Sequence, residues 1–169
     1  MRKINAPMLA IVSLSLALVS ACSPALSDRD PRGAASEAAT GKIHAESGLS
    51  VIPLVVKTKE QTHEFEVEIA ISRMEQARGL MFRTRLASDE GMLFPFDPPR
   101  EAGFWMKNTV IPLDIIFIGA DGRILNIEAN AVPYSETQRR SRGKAAAVLE
   151  LAGGQCARLG IAPGDNVTW

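Results

Sequence analysis

The stretch PLDIIFIG, Pro112 to Gly119, decides how the rest of the chain is read. Ile115, Ile116, Phe117 and Ile118 form an unbroken β-branched and aromatic run, the pattern of a central strand buried on both faces. Immediately before it, Trp105, Lys107 and Asn108 stand close together, and Asp114 returns just ahead of the apolar run. Polar groups at the mouth of a buried strand need partners, from the fold or from a ligand.

Working outward, ADG followed by RILNIEANA completes a hairpin whose tight turn is set by Asp121-Gly122. Upstream, IPLVVKT and HEFEVEIAI read as paired strands. In the second, Phe65, Val67, Ile69 and Ile71 alternate with Glu64, Glu66 and Glu68, which predicts one buried face and one solvated acidic face. Ser72 precedes Glu75 by three residues, a capping box, and Gly79 is placed for a left-handed cap, so SRMEQARGLMFR holds a short helix. GMLFPF and GFWMKN read as strands joined by a turn at DPPREAG. AAAVLELAGG is a further strand, GQCARLG a brief helix closed by Gly160, and APGDNV a final turn. Many short strands with two short helices predict a mostly β fold, an antiparallel sandwich or partly closed barrel.

The first residues do not belong to that core. MRK gives a positive start, and INAPMLAIVSLSLALVSA supplies an apolar run too short for a comfortable membrane span, so residues 1–21 read as a secretory signal. Val19, Ser20 and Ala21 before Cys22 resemble a bacterial lipobox, in which the cysteine is acylated and becomes the mature N-terminus. A multiply acylated Cys22 would hold the protein on a membrane, facing the periplasm or the cell exterior. By resemblance to lipoprotein sorting, Ser23 favours the outer membrane where the cell has one. Residues 22–50 then form a flexible tether, rich in Ala, Ser, Gly and charge, with His44 solvated inside it. A single β-rich domain occupies residues 51–169. With Cys22 lipidated, Cys156 has no disulfide partner, and stability rests on packing.

Nineteen basic and nineteen acidic residues balance, which removes the electrostatic reason to expect nucleic acid as a partner. ARGLMFR, GMLFPF, FWMKNTVIPLDIIFI, DGRI and VLELAGG follow one another in the order and rough spacing of the domain-of-unknown-function 192 family. The resemblance covers roughly Phe65 to Val167, and the FWMKNT…PLDI block is its most specific element. It implies a compact, mainly β domain, often exported or lipid-anchored, with no established activity.

Three functional readings follow. In the first, Trp105, Lys107, Asn108 and Asp114 form a recognition pocket for a small polar ligand such as a carbohydrate: an aromatic surface, a cation, an amide and an acceptor. Strand alternation would place Trp105 and Lys107 on one side, with Phe104, Met106 and Asn108 on the other. In the second, the same groups are internal scaffolding of an interaction or structural module, with Asp114 paired to Lys107 or accepting backbone N–H groups. In the third, Asp114, Glu128 or Glu150 serve a carboxylate-based hydrolase.

Other clusters carry less. Arg78, Arg83 and Arg85 read as exposed cations around the helix, and Arg139, Arg140, Arg142 and Lys144 as a solvated loop with an option on anionic lipid. Met74, Met81, Met92 and Met106 raise copper(I), but three sit in apolar runs where Met fills the core. His63 and Cys156 supply too few ligands for zinc, and no nucleophile elbow or phosphate-binding glycine loop is present. No cofactor is expected.

Overall fold

The structure is a computed structural model that describes residues 41–169; the signal segment, Cys22 and the tether up to residue 40 lie outside the described residues. In chain order the elements are β1 (Val51–Lys57), β2 (Thr62–Ile69), α1 (Arg73–Arg78), β3 (Glu90–Arg100), β4 (Gly103–Phe104) and β5 (Leu113–Gly119). There follow β6 (Ile124–Ala131), β7 (Arg139–Arg140), β8 (Ala145–Ala152), α2 (Gln155–Leu159) and β9 (Asn166–Thr168). The fold is mostly β with two short helices, as the strand pattern predicts.

Seven strands form one sheet in the order β6-β5-β8-β3-β2-β1-β9, while β4 and β7 pair separately. Neighbours in the large sheet are antiparallel except β2 and β3, which run parallel. Parallel neighbours require a crossover, and residues 70–89, including α1, provide it. The edge strands touch at one bridge, Arg123 with Asn166, and the sheet does not close into a barrel.

All seven residues of β5 are buried because each face of the sheet carries its own apolar cluster. Leu93, Ile116, Ile118, Leu149 and Leu151 point to one face, where Cys156 and Ile161 cover them. Met92, Phe94, Ile115, Phe117 and Val148 point to the other, beneath Leu80 and Met106. Two covered faces explain a continuous apolar run in place of alternation.

Four local expectations change. β3 continues through DPPR to Arg100, where a turn was expected, with a register shift between Pro95 and Arg100. Only Gly103 and Phe104 of GFWMKN are extended, paired with Arg140 and Arg139. Thus Trp105 to Asn108 lie outside any strand, and alternation does not place their side chains.

β2 also departs from its pattern. Ile71 lies beyond its end and is exposed, whereas Glu68 is buried. Glu68 accepts two hydrogen bonds from Arg83 Nη2, both at 2.8 Å, so Arg83 is a buried ion-pair partner and not an exposed helical cation. Finally, residues 42–50 belong to the fold and not to a free tether. Ile43 bridges Ser50, the Val51 N–H donates to the Lys42 carbonyl at 2.7 Å, and His44 Nδ1 lies 3.6 Å from Glu68 Oε1. His44 is therefore packed against a buried charge.

Candidate functional site

A cavity of about 440 Å³ opens between α1, the outer half of β3 and the Gly103–Thr109 segment, a size suited to a small ligand. Helix phase explains one wall. The capping box fixes the start of α1, with the Ser72 and Ile71 N–H groups donating to Glu75 Oε2 at 2.7 and 2.8 Å. Those bonds hold the Glu75 carboxyl below its ordinary value. Arg73, Gln76 and Ala77 then share one helical face and line the cavity, joined by Arg78. Gly79 follows with φ +48°, and a Cβ there would sit 3.4 Å from the Phe94 ring, so the chain turns tightly against the cavity wall.

The opposite wall is aromatic. Phe94 and Phe104 meet edge to face at 5.0 Å between centroids, and Phe104 meets Phe117 at 6.3 Å. Two rim cations rest on aromatic faces: Arg100 lies 4.0 Å from the Phe96 centroid and Lys107 Nζ 5.2 Å from that of Trp105. Such contacts hold flexible side chains in place while leaving their donors free. Among the described residues, ion pairs involve Lys42, His44 and Arg83, so Arg73, Arg78, Arg100 and Lys107 have no acidic partner there.

Deep in the cavity lie Thr109 and Glu150, respectively 5% and 4% exposed. Glu150 sits on β8 between Ile115 of β5 and Met92 of β3, so its side chain shares their face. Desolvation alone pushes its carboxyl up to about 8; no described donor or cation offsets it.

Of the residues singled out in the sequence, Trp105 and Lys107 meet in this cavity; Asn108 and Asp114 do not line it. Asn108 adopts φ +57° and works as a brace: its Nδ2 donates to Met81 Sδ at 3.8 Å, and its carbonyl accepts from the Phe82 N–H at 2.9 Å. Asp114 pairs across to Leu151 and so points to the opposite face from Glu150. There it is fully buried and accepts three backbone N–H groups, from Asn130, Gly154 and Cys156 at 2.8, 3.0 and 2.8 Å. Two of these lie at the N-terminus of α2, whose own cap, Gly154, offers no side chain.

The remaining candidates separate in space. Glu128 lies in the same cross-sheet row as Glu150 but beyond Ile115, and it does not line the cavity. Burial, with Asp114 beside it, pushes the Cys156 thiol far up, which leaves it unreactive. His63 Nε2 contacts the Leu159 carbonyl at 3.0 Å. Met92 and Met106 are core, whereas Met74 is exposed on α1. Among the described residues no three His, Cys, Asp or Glu side chains gather into a metal site.

Sequence reasoning missed Arg73 and Arg100 and gave Glu150 a different role. The helix phase set by Ser72 would have found Arg73. The lone carboxylate in the apolar strand AAAVLELA was the signal for Glu150. Arg100 gave none, because DPPR reads as a turn.

An open mixed-sheet β domain with an aromatic-walled, basic-rimmed cavity defines the class structurally. The family model for DUF192, described as an uncharacterized ACR, matches residues 54–169, and the chain belongs to that family. A solved protein of unknown function from Novosphingobium aromaticivorans DSM 12444 is 55% identical, with TM-score 0.75, covering 80% of this chain and 96% of its own. A second, from Sinorhizobium meliloti 1021 and provisionally named a transcription regulator, is 43% identical, with TM-score 0.69, covering 71% of this chain and 94% of its own. No curated protein matches.

Proposed function

We propose that this chain is a cell-envelope binding module that takes a small polar ligand with an anionic group, an acidic saccharide or similar hydroxy acid, in the cavity beside Trp105. One observation carries the reading: four cations without an acidic partner among the described residues surround one aromatic-walled opening. Oriented cations favour an anion, and aromatic walls favour an apolar or ring-bearing body. Asp114 has no part in it. The test is calorimetric titration with glucuronate, glucose and phosphate. Glucuronate should bind, and Arg100→Ala together with Lys107→Ala should weaken it at least tenfold; equal binding by that variant would exclude the cavity.

The anchor belongs to the same proposal: acylation of Cys22 places the module on a membrane, with the outer membrane favoured by Ser23. Mass spectrometry of the N-terminal peptide checks it, because an unmodified Cys22 would end that part of the account.

A second reading, a protein-interaction module, rests on Phe82, Val132 and Tyr134, which are all exposed. The backbone ties two of them to one segment, since the Phe82 N–H donates to Asn108 and the Tyr134 N–H to Thr109. The hydrolase reading has less support: Asp114 and Glu150 face opposite sides of the sheet, and Glu128 shares a face with Glu150 but stands across Ile115 and outside the cavity lining. The regulator name of the Sinorhizobium protein is not carried over. The balanced net charge gives no electrostatic reason to expect nucleic acid, and α1 and α2 are six and five residues long, too short for a recognition helix.

A further inference from the structure

We propose that Glu150 reads the buried end of the ligand as an uncharged hydrogen-bond donor, so that the cavity selects a hydroxy acid whose carboxylate stays at the basic rim. The inference rests on the binding role proposed above and adds the ligand's orientation and a pH gate.

The geometry is specific. Among the described residues lining the cavity Glu150 is the only acid, and its side chain is almost wholly buried there. The strand register fixes it between Ile115 and Met92, two apolar neighbours that offer it no hydrogen bond. Its contrast is Asp114, whose oxygens are taken up by three backbone donors. A carboxyl group left without such donors keeps its proton in an apolar setting. It then presents one O–H donor and one acceptor to whatever enters. Thr109 also lines the cavity, and its hydroxyl, which donates to the Lys107 carbonyl at 3.4 Å, still offers an acceptor. The ligand's hydroxyl or carbonyl end fits this pair, while its anionic group fits Arg73, Arg78, Arg100 and Lys107 at the mouth.

Ionisation of Glu150 would remove its donor and place a second negative charge near an anionic ligand. The charged groups around the cavity are Arg73 and Arg78 on α1, Arg100 on β3 and Lys107 in the following loop. Glu128 on β6 is in the same row but is separated by Ile115. The Glu150 carboxyl is pushed up to about 8, so the binding form is depleted as pH rises through that value. Between pH 7 and pH 9 the apparent affinity should fall about tenfold if only the protonated form binds.

The experiment uses the full chain and three probes, glucuronate, glucose and phosphate, titrated calorimetrically at pH 7 and pH 9. The carboxyl carbon of Glu150 is followed in parallel by NMR without ligand, with Glu150→Gln used for its assignment. The proposal expects a Glu150 midpoint near 8, glucuronate preferred over phosphate, and about tenfold weaker glucuronate binding at pH 9. It also expects Glu150→Gln to bind glucuronate at both pH values with no such loss, because the amide keeps a donor and an acceptor. A Glu150 midpoint below 6, or an unchanged pH loss in Glu150→Gln, would overturn the Glu150 role and leave the cavity reading standing. No binding of any probe by the wild-type chain at pH 7, with the protein folded, would overturn the cavity reading and this inference with it.

Discussion

Two carboxyl groups on the same sheet, Asp114 and Glu150, are both buried yet have opposite fates. Asp114 accepts three backbone N–H groups and joins β5 to the end of β6 and the start of α2. Glu150, on the other face, has no such donor among the described residues and lines a cavity. Burial alone therefore does not mark a functional acid. What distinguishes the two is whether the fold already occupies the oxygens. The arginines divide in the same way: Arg83 is used up by Glu68, whereas Arg73 and Arg100 at the rim have no acidic partner among the described residues.

The comparison breaks most visibly where a satisfied group is removed. Arg83→Ala leaves the buried Glu68 carboxylate with only Ser47 and His44 beside it and should cost about 3 kcal/mol in urea denaturation. Asp114→Ala leaves three N–H groups without an acceptor and should cost about 3 kcal/mol or more, since each buried orphan donor costs roughly 1–3 kcal/mol. Neither change should alter ligand affinity in the protein that remains folded. A binding defect with normal stability in Asp114→Ala would return Asp114 to the site.

Removal of an unsatisfied group should do the reverse. The folded protein holds the Glu150 proton up to about pH 8, while the unfolded chain releases it near the ordinary value of 4.5. The unfolded state thus binds fewer protons in that interval. This contribution to stability is complete below about pH 4.5 and is lost as pH rises to about 8, at about 1.4 kcal/mol per pH unit. Glu150→Gln should lack that slope in denaturation series run across the interval; an identical slope in both proteins would mean that Glu150 is solvated.

Much of the fold was legible in the sequence because it rests on short-range rules. The capping box at Ser72 and Glu75, the Asp121-Gly122 hairpin and the buried run of β5 follow from local chemistry and periodicity. The proposed site was only half legible. Trp105 and Lys107 line its cavity, and the sequence pointed to them because an aromatic and a cation adjoin a buried strand. Arg73, Arg100 and Glu150 come from three separate elements, and only the β3–β8 register and the crossover through α1 bring them together. Asn108 and Asp114 fall outside the cavity lining, which the sequence could not show, because a polar residue beside a core strand looks the same in sequence whether it faces a ligand or its own backbone. Residues 105–108 also lie outside any strand, which removes the alternation on which their placement rested.

Smaller effects sharpen the contrast at the rim. Arg100→Ala alone should leave stability within about 1 kcal/mol, as exposed cations contribute little, and still weaken glucuronate measurably. Beside the cavity, Phe82, Asn108 and Tyr134 hold φ of +66°, +57° and +58°. Bulky side chains are strained in that region, so Tyr134→Gly should be neutral or up to about 1 kcal/mol stabilising despite the lost ring. A clear loss in thermal denaturation would show that the Tyr134 ring contributes packing that outweighs the strain.

The most direct test of the central claim is a backbone amide NMR titration with glucuronate at pH 7. Saturable shifts should cluster on Arg73 to Gly79, Gly103 to Thr109 and the Glu150 end of β8. Amides that donate to Asp114 (Asn130, Gly154 and Cys156) should stay still. Shifts centred on those three amides, or none anywhere in a well-dispersed spectrum, would contradict the account.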